Sequence, residues 1–178
     1  MGIYIAGTGL FTPNESISNE ELVKSYNAYA DLFNQQNKEA IEKGDLEELT
    51  YSSADFIYKA SGIESRYVLS KEGILDPQRM KPKFEKRKDN EPSIQAEIAI
   101  KASKEALKNA NIEIDHVDGL ICACANLQRA YPAVSIEIQK ELGIQGYAYD
   151  MNVACSSATF GMQIAVNDIK AGVAETIL

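Results

Sequence analysis

The stretch YAYDMNVACSSATFGMQIAVNDIKAG, residues 147–172, is the clearest indication of fold class in this chain. Residues 147–153 have the length and apolar character of a strand, and the pattern from Cys155 to about Ala171 predicts a helix that stops at Gly172. The residues flanking the cysteine on both sides are small. The stretch therefore predicts a strand, a tight turn at Cys155 and a helix.

Strands and helices alternate upstream of this stretch. Residues 119–125 (GLICACA) predict a strand buried on both faces, and Pro132 and Gly143 bracket a helix. Ser93 is placed to cap another helix, whose predicted buried stripe comprises Ile94, Ile98, Ala102, Ala106 and Ala110. Residues 3–10 predict a buried strand, and Thr176–Leu178 the opening of a further one. The alternation predicts an α/β layered fold with a mixed, mainly parallel sheet covered by helices.

Residues 19–92 contain shorter elements and two polar stretches. Asn19 is the predicted cap of a first helix, and residues 27–51 are polar and helix-prone, as in an insertion or an extended surface helix. Residues 53–60 predict a short helix leading to Gly62, and a strand follows. Residues 73–92 contain three prolines and predict a loop, which is the second probable insertion.

Composition excludes several classes of protein. The chain has 178 residues, 45 % of them apolar, which is enough for a folded core. Its net charge of −8 is unsuited to nucleic-acid binding, which depends on Lys and Arg. No apolar run reaches the length of a membrane span, and no signal-peptide pattern opens the sequence, so a cytoplasmic location is predicted.

Cys155 is the strongest candidate for a catalytic residue. The N-terminus of a helix offers unpaired N–H groups and a positive partial charge, which stabilise a thiolate. Such a thiolate attacks a thioester carbonyl, and the same N–H groups serve as oxyanion donors. The alternative is a buried structural cysteine, and position by itself does not decide between the two.

The remaining motifs favour structural interpretations. Cys122 and Cys124 alternate onto one sheet face without further ligands, so packing is predicted and no metal site. The single histidine, His116, precedes a strand and is predicted to be a surface residue. The Gly7-Thr8-Gly9 pattern lacks the rest of a dinucleotide fingerprint. A basic run over residues 79–88 is either a carrier-docking or phosphate-binding surface or, as we favour, a solvated loop.

Several co-linear segments carry a family resemblance. NVACSSATFG (152–161) resembles the active-site segment of the β-ketoacyl-acyl-carrier-protein synthase III family, a group of thiolase-fold condensing enzymes. IAGTGLFTPNESISNEEL (5–22) is similar to the first strand and helix of that family, and SGIESRYV (61–68) to its Gly-Ile-x-x-Arg signature. AYPAVSIEIQKELGIQGYAYDMNVACS (130–156) resembles the stretch that leads to the nucleophile. The match spans nearly the whole chain.

The resemblance implies specific site residues. Cys155 matches the catalytic nucleophile, and Tyr131 matches an aromatic residue that lines the acyl pocket of the partner subunit in a homodimer. Phe56 matches a Trp that stacks on the coenzyme A adenine, but Ala60 replaces an Arg that grips the nucleotide. That departure puts the usual acetyl-coenzyme A priming in doubt, so a longer or carrier-bound acyl donor is plausible.

The resemblance also implies that residues 1–178 form the first of two pseudo-symmetric halves. The catalytic His and Asn of the family lie in the second half, so a second polypeptide or a missing segment is expected to supply them. The predicted activity is decarboxylative condensation of an acyl thioester with malonyl-acyl carrier protein through acyl-Cys155, in fatty-acid biosynthesis. Acyl-coenzyme A and acyl carrier protein are the implied partners, and no metal or organic cofactor is implied.

Two alternatives remain open at this point. One is another thiolase-fold condensation, of the polyketide or head-to-head kind. The other is a catalytically incomplete subunit or fragment that binds acyl chains or a carrier. The absence of the matching His and Asn from this sequence favours the second, whereas the setting of Cys155 opposes it.

Overall fold

The computed structural model describes residues 2–178, which form two compact units. One unit comprises Arg87–Leu178 together with the amino-terminal segment up to Phe11, and the other comprises Thr12–Lys86. Each unit has its own two-stranded sheet with helices beside it, so the predicted α/β class is confirmed. None of the helices among residues 2–178 combines the length and the apolarity that a membrane crossing requires.

The Thr12–Lys86 unit is built around a short antiparallel strand pair in which Ile17 lies opposite Arg66. Its elements are β1 (Glu15–Ser18), α1 (Asn19–Gln36), α2 (Lys38–Glu42), α3 (Ala54–Ser61) and β2 (Ser65–Val68). Ser18 rather than the predicted Asn19 caps α1, because its hydroxyl accepts the N–H of Glu21. The Asn19 side chain is instead buried and donates to the carbonyl of Ile63.

The unit that contains Cys155 has a parallel strand pair. Its elements are α4 (Ile94–Ala110), β3 (Gly119–Ala123), α5 (Val134–Leu142), β4 (Tyr147–Met151) and α6 (Ser157–Lys170). β3 and β4 are parallel, with Gly119 opposite Tyr147. Residues 176–178, predicted as the opening of a strand, form a single parallel bridge at the other edge of β3, where Leu178 donates to the carbonyl of Gly119 at 2.9 Å.

The core of this unit lies between α4, α5 and one face of the strands. Its buried members are Ala96, Val117, Leu120, Val134, Ile138 and Ile144. The predicted stripe on α4 is wrong as the core face, because Ala96 is fully buried and Ile100 packs against the core instead. The stripe residues Ala102 and Ala106 face the amino-terminal segment.

The predicted strand over residues 3–10 is not formed. This segment makes no ladder within residues 2–178, and Tyr4 and Ile5 are largely exposed, because an apolar run becomes a strand only where a neighbouring strand pairs with it. It lies against α4 instead, so closely that a Cβ atom at Gly7 or Gly9 would collide with a helix carbonyl. β3 is also less covered than predicted, since Ala123 at its end is exposed.

Candidate active site

Cys155 lies at the carboxyl end of β4, where the chain turns into α6. One turn of 3-10 helix, Ala154–Ser156, separates β4 from α6, which begins at Ser157. The Cys155 side chain is exposed. The sequence therefore predicted the strand, the turn and the helix correctly, and the structure presents the thiol on the surface of this chain.

The backbone of this turn is held in an uncommon conformation. Ala154, which immediately precedes the cysteine, has a φ of +47°, in the left-handed region that costs a residue with a Cβ about 1–2 kcal/mol. The Asn152 side chain accepts the N–H of Ala154 at 3.2 Å. The Ser157 hydroxyl accepts the N–H of Val153 and donates to the carbonyl of Ala154, both at 2.8 Å.

α6 covers one face of the β3–β4 pair but is itself poorly covered. Gly161 faces Ile121, and the Tyr147 hydroxyl donates to Asp168 at 2.7 Å. Phe160 is 51 % exposed and Met162 is 57 % exposed. Among residues 2–178, no helix or strand of the Cys155 unit covers the outer side of α6. The outer side of α6 therefore presents exposed apolar side chains.

Asp150 is a site residue that the sequence analysis missed. Its two carboxylate oxygens accept the N–H groups of Val134 and Ser135 at 2.9 and 2.7 Å, and so cap α5. The sequence predicts a helix that starts near Pro132, whereas α5 starts at Val134, where Asp150 accepts its first N–H groups. The available signal was Ala133, a poor N-cap residue that leaves the first N–H groups of α5 in need of an acceptor from elsewhere.

Cys122, Cys124 and Asp150 bring three donor atoms within 4.8 Å of one another. Burial raises the pKa of the Cys122 thiol, and burial also raises the pKa of Cys124. Protonated thiols are poor metal ligands, and the Asp150 oxygens are already engaged by α5. Both cysteines pack against the core, which agrees with the packing role predicted for them.

The other predicted site residues are exposed. Tyr131 is 87 % exposed and precedes a cis peptide bond to Pro132, in the same unit as Cys155. Phe56 is 65 % exposed on α3 of the other unit, one turn before the exposed Ala60. His116 is also at the surface, where its ring nitrogen lies 3.7 Å from its neighbour Asp115.

The basic run over residues 79–88 lies in turns and irregular chain, as predicted. Lys83 forms an ion pair with Glu72 at 2.7 Å, and the Arg79 guanidinium donates to the carbonyls of Lys81 and Pro82. Part of the positive charge in this run is therefore used to hold the loop itself.

Comparison with known proteins identifies close relatives. No protein-family profile matches the chain. The β-ketodecanoyl-[acyl-carrier-protein] synthase of Pseudomonas aeruginosa is 56 % identical over 156 residues, which cover 88 % of this chain and 45 % of that protein. The β-ketoacyl-[acyl-carrier-protein] synthase III of Aquifex aeolicus is 26 % identical over 179 residues, covering 100 % of this chain and 43 % of that protein.

The fold agrees with these relatives. The crystal structure of 3-oxoacyl-[acyl-carrier-protein] synthase III from Aquifex aeolicus matches 96 % of this chain and 41 % of its own length, with a TM-score of 0.66. At 24 % identity that likeness shows the fold. The chain spans less than half the length of the curated relatives it matches. In sequence the chain is therefore similar to part of these β-ketoacyl-[acyl-carrier-protein] synthases, and its fold is that of a synthase III.

Proposed function

We propose that this chain carries the nucleophile of an acyltransferase that forms 3-oxoacyl thioesters in fatty-acid biosynthesis. The observation that carries the proposal is the exposed thiol of Cys155 on a strained turn between β4 and α6, in a chain 56 % identical to a β-ketodecanoyl synthase. Backbone strain of this kind persists where the surrounding structure enforces it, and it concentrates at functional sites.

The first step is acyl transfer to Cys155. Its Sγ attacks the carbonyl carbon of an acyl thioester, the carbon–sulfur bond of the donor breaks, and the released thiolate takes up a proton. The N–H of Cys155 makes no hydrogen bond within residues 2–178, so it is free to donate to the carbonyl oxygen as charge develops there. The small side chain of Ala154 leaves room for the donor.

The second step is condensation. A malonyl thioester on acyl carrier protein loses carbon dioxide, the resulting carbanion attacks the acyl carbon on Cys155, and the Cys155 thiolate leaves. The product is a 3-oxoacyl thioester two carbons longer than the donor. The family resemblance assigns a His and an Asn to this step, and we propose that the second half of the enzyme supplies them, as a second polypeptide or a further segment. Neither step needs a metal or an organic cofactor.

The proposed acyl donor is an eight-carbon thioester. The Pseudomonas aeruginosa relative is named for a ten-carbon β-ketoacyl product, and condensation with a malonyl unit adds two carbons. The exposed Phe56 ring is available for stacking on a nucleotide base, whereas Ala60 offers no group to grip a phosphate. Because Ala60 lacks a group that binds phosphate, we propose that donor selection depends more on the acyl chain than on coenzyme A.

Tyr131 is proposed to line the acyl pocket of a partner subunit in a homodimer. Its ring is 87 % exposed in this chain, so it is available to a second subunit. A cytoplasmic location stays a prediction from the sequence.

The test is a chain-length series with the purified enzyme, including any polypeptide that copurifies with this chain. Acetyl-, octanoyl- and dodecanoyl-coenzyme A are each supplied with malonyl-acyl carrier protein, and the 3-oxoacyl products are identified by mass spectrometry. The proposal expects 3-oxodecanoyl-carrier from octanoyl-coenzyme A, with a lower kcat/KM for the other two donors.

Two other results would separate the alternatives. Products from two acyl chains, without any malonyl unit, would indicate head-to-head condensation. Carrier or acyl binding without any product, in a preparation that contains both halves, would contradict the enzymatic proposal and support a binding subunit.

A further inference from the structure

Ser157, the first residue of α6, makes two backbone contacts that Ser156 next to it does not make. Its side chain is 5 % exposed, and its hydroxyl bridges the N–H of Val153 and the carbonyl of Ala154, each at 2.8 Å. A hydroxyl that both accepts and donates within one turn joins the end of β4 to the start of α6. Ser156 is exposed, and no side-chain hydrogen bond of Ser156 is found among residues 2–178.

The two hydrogen bonds of the Ser157 hydroxyl span Ala154, the residue with the strained backbone. Ala154 holds a φ of +47°, which an alanine adopts only where its surroundings enforce it. The two contacts of Ser157 lie on either side of the Ala154 φ bond, one at Val153 and one at the Ala154 carbonyl. The Asn152 side chain adds a third contact at the Ala154 N–H, so the turn is fixed from both ends.

We propose that Ser157 is a positioning residue for Cys155. Its hydroxyl bridge holds Ala154 in the left-handed conformation and thereby sets where the Sγ and the N–H of Cys155 lie relative to an incoming thioester. The inference rests on the proposed acyl transfer to Cys155 and deepens it. Ser157 acts through the backbone and does not touch the acyl group.

The test compares three variants of the complete enzyme, this chain together with its companion half. Ser157→Ala removes the bridge, and Ser156→Ala is the matched control one residue away. The double variant Ala154→Gly/Ser157→Ala removes the bridge but replaces Ala154 with a residue that adopts a positive φ without strain. Each is measured for the octanoyl-transfer rate, for KM, for the rate at which iodoacetamide alkylates Cys155, and for thermal stability.

The expected result is a loss of rate that glycine repairs. Ser157→Ala lowers kcat about ten-fold or more, because small displacements of a reacting group are costly, while KM stays within about two-fold. Ser156→Ala stays within about two-fold of the parent in every measurement. The double variant regains at least about half of the lost rate, because glycine recovers the turn geometry without the bridge.

Two results would overturn the inference. One is equal transfer and alkylation rates in Ser157→Ala and Ser156→Ala. The other is a Ser157→Ala defect that follows the loss of folded protein and is not repaired by glycine at 154, which would make Ser157 a purely structural residue. If the parent enzyme transfers no acyl group, the proposed function fails, and the alkylation rates of Cys155 still decide the role of Ser157.

Discussion

The two faces of the β3–β4 strand pair are built differently. On one face, Leu120 is 2 % exposed and packs with α5, whose Val134 and Ile138 are buried to a similar degree. On the other face, α6 packs with Gly161 facing the strands and with one tyrosine hydroxyl bond, and its Phe160 and Met162 side chains are more than half exposed. The first face therefore contains the buried core of the unit, and the second carries α6 and the Cys155 turn.

The largest expected effect is on the buried face. Ile138→Ala removes a side chain that is 2 % exposed, and we expect it to lower the free energy of unfolding by about 2–5 kcal/mol through lost burial and a residual cavity. Ile136, two residues earlier on the same helix, is 40 % exposed, so Ile136→Ala should change stability by less than about 0.5 kcal/mol. Urea unfolding of both variants measures the difference, and equal losses would remove the distinction between the faces.

Removal of a buried carboxylate should have the next largest effect on stability. Glu137 is 7 % exposed, accepts the N–H of Ser93 at 2.9 Å, and lies 3.4 Å from the Arg129 guanidinium. Glu137→Ala leaves the Ser93 N–H without its acceptor and the Arg129 guanidinium without its carboxylate partner, and we expect the free energy of unfolding to fall by about 2–3 kcal/mol. The exposed Glu141 on the same helix is the control. A loss no greater than that of Glu141→Ala in urea unfolding would show that the Glu137 contacts contribute nothing.

Substitution on the α6 face of the β3–β4 pair should change stability least. Burial and the Asp168 carboxylate raise the pKa of Tyr147, so its hydroxyl stays protonated and donates at 2.7 Å across neutral pH. Tyr147→Phe removes this link between β4 and α6, at a cost of about 1 kcal/mol. Thermal unfolding measures the change, and a loss as large as that of Ile138→Ala would show that the α6 face is no weaker than the α5 face.

Local signals in the sequence predicted most elements near the site. Ser93 caps α4 and Gly143 ends α5 in the left-handed conformation, as their residue types require. Residues that depend on distant partners were not predictable in the same way. Residues 3–10 are a strand only in a sheet that pairs with them, and the role of Asp150 depends on α5 starting beside β4. The strain at Ala154 has no sequence signal, because alanine is an ordinary residue in a helix or a strand.

The central claim is that Cys155 becomes acylated, and intact-mass spectrometry tests it most directly. The purified enzyme is incubated with octanoyl-coenzyme A and denatured, and its mass is measured. Cys155→Ala is treated in the same way, with Cys122→Ala and Cys124→Ala as controls. We predict that this chain gains the mass of one octanoyl group in the parent and in both controls, and gains none in Cys155→Ala. An octanoyl group that persists in Cys155→Ala, or an unmodified parent in a preparation that contains both halves, would contradict the account.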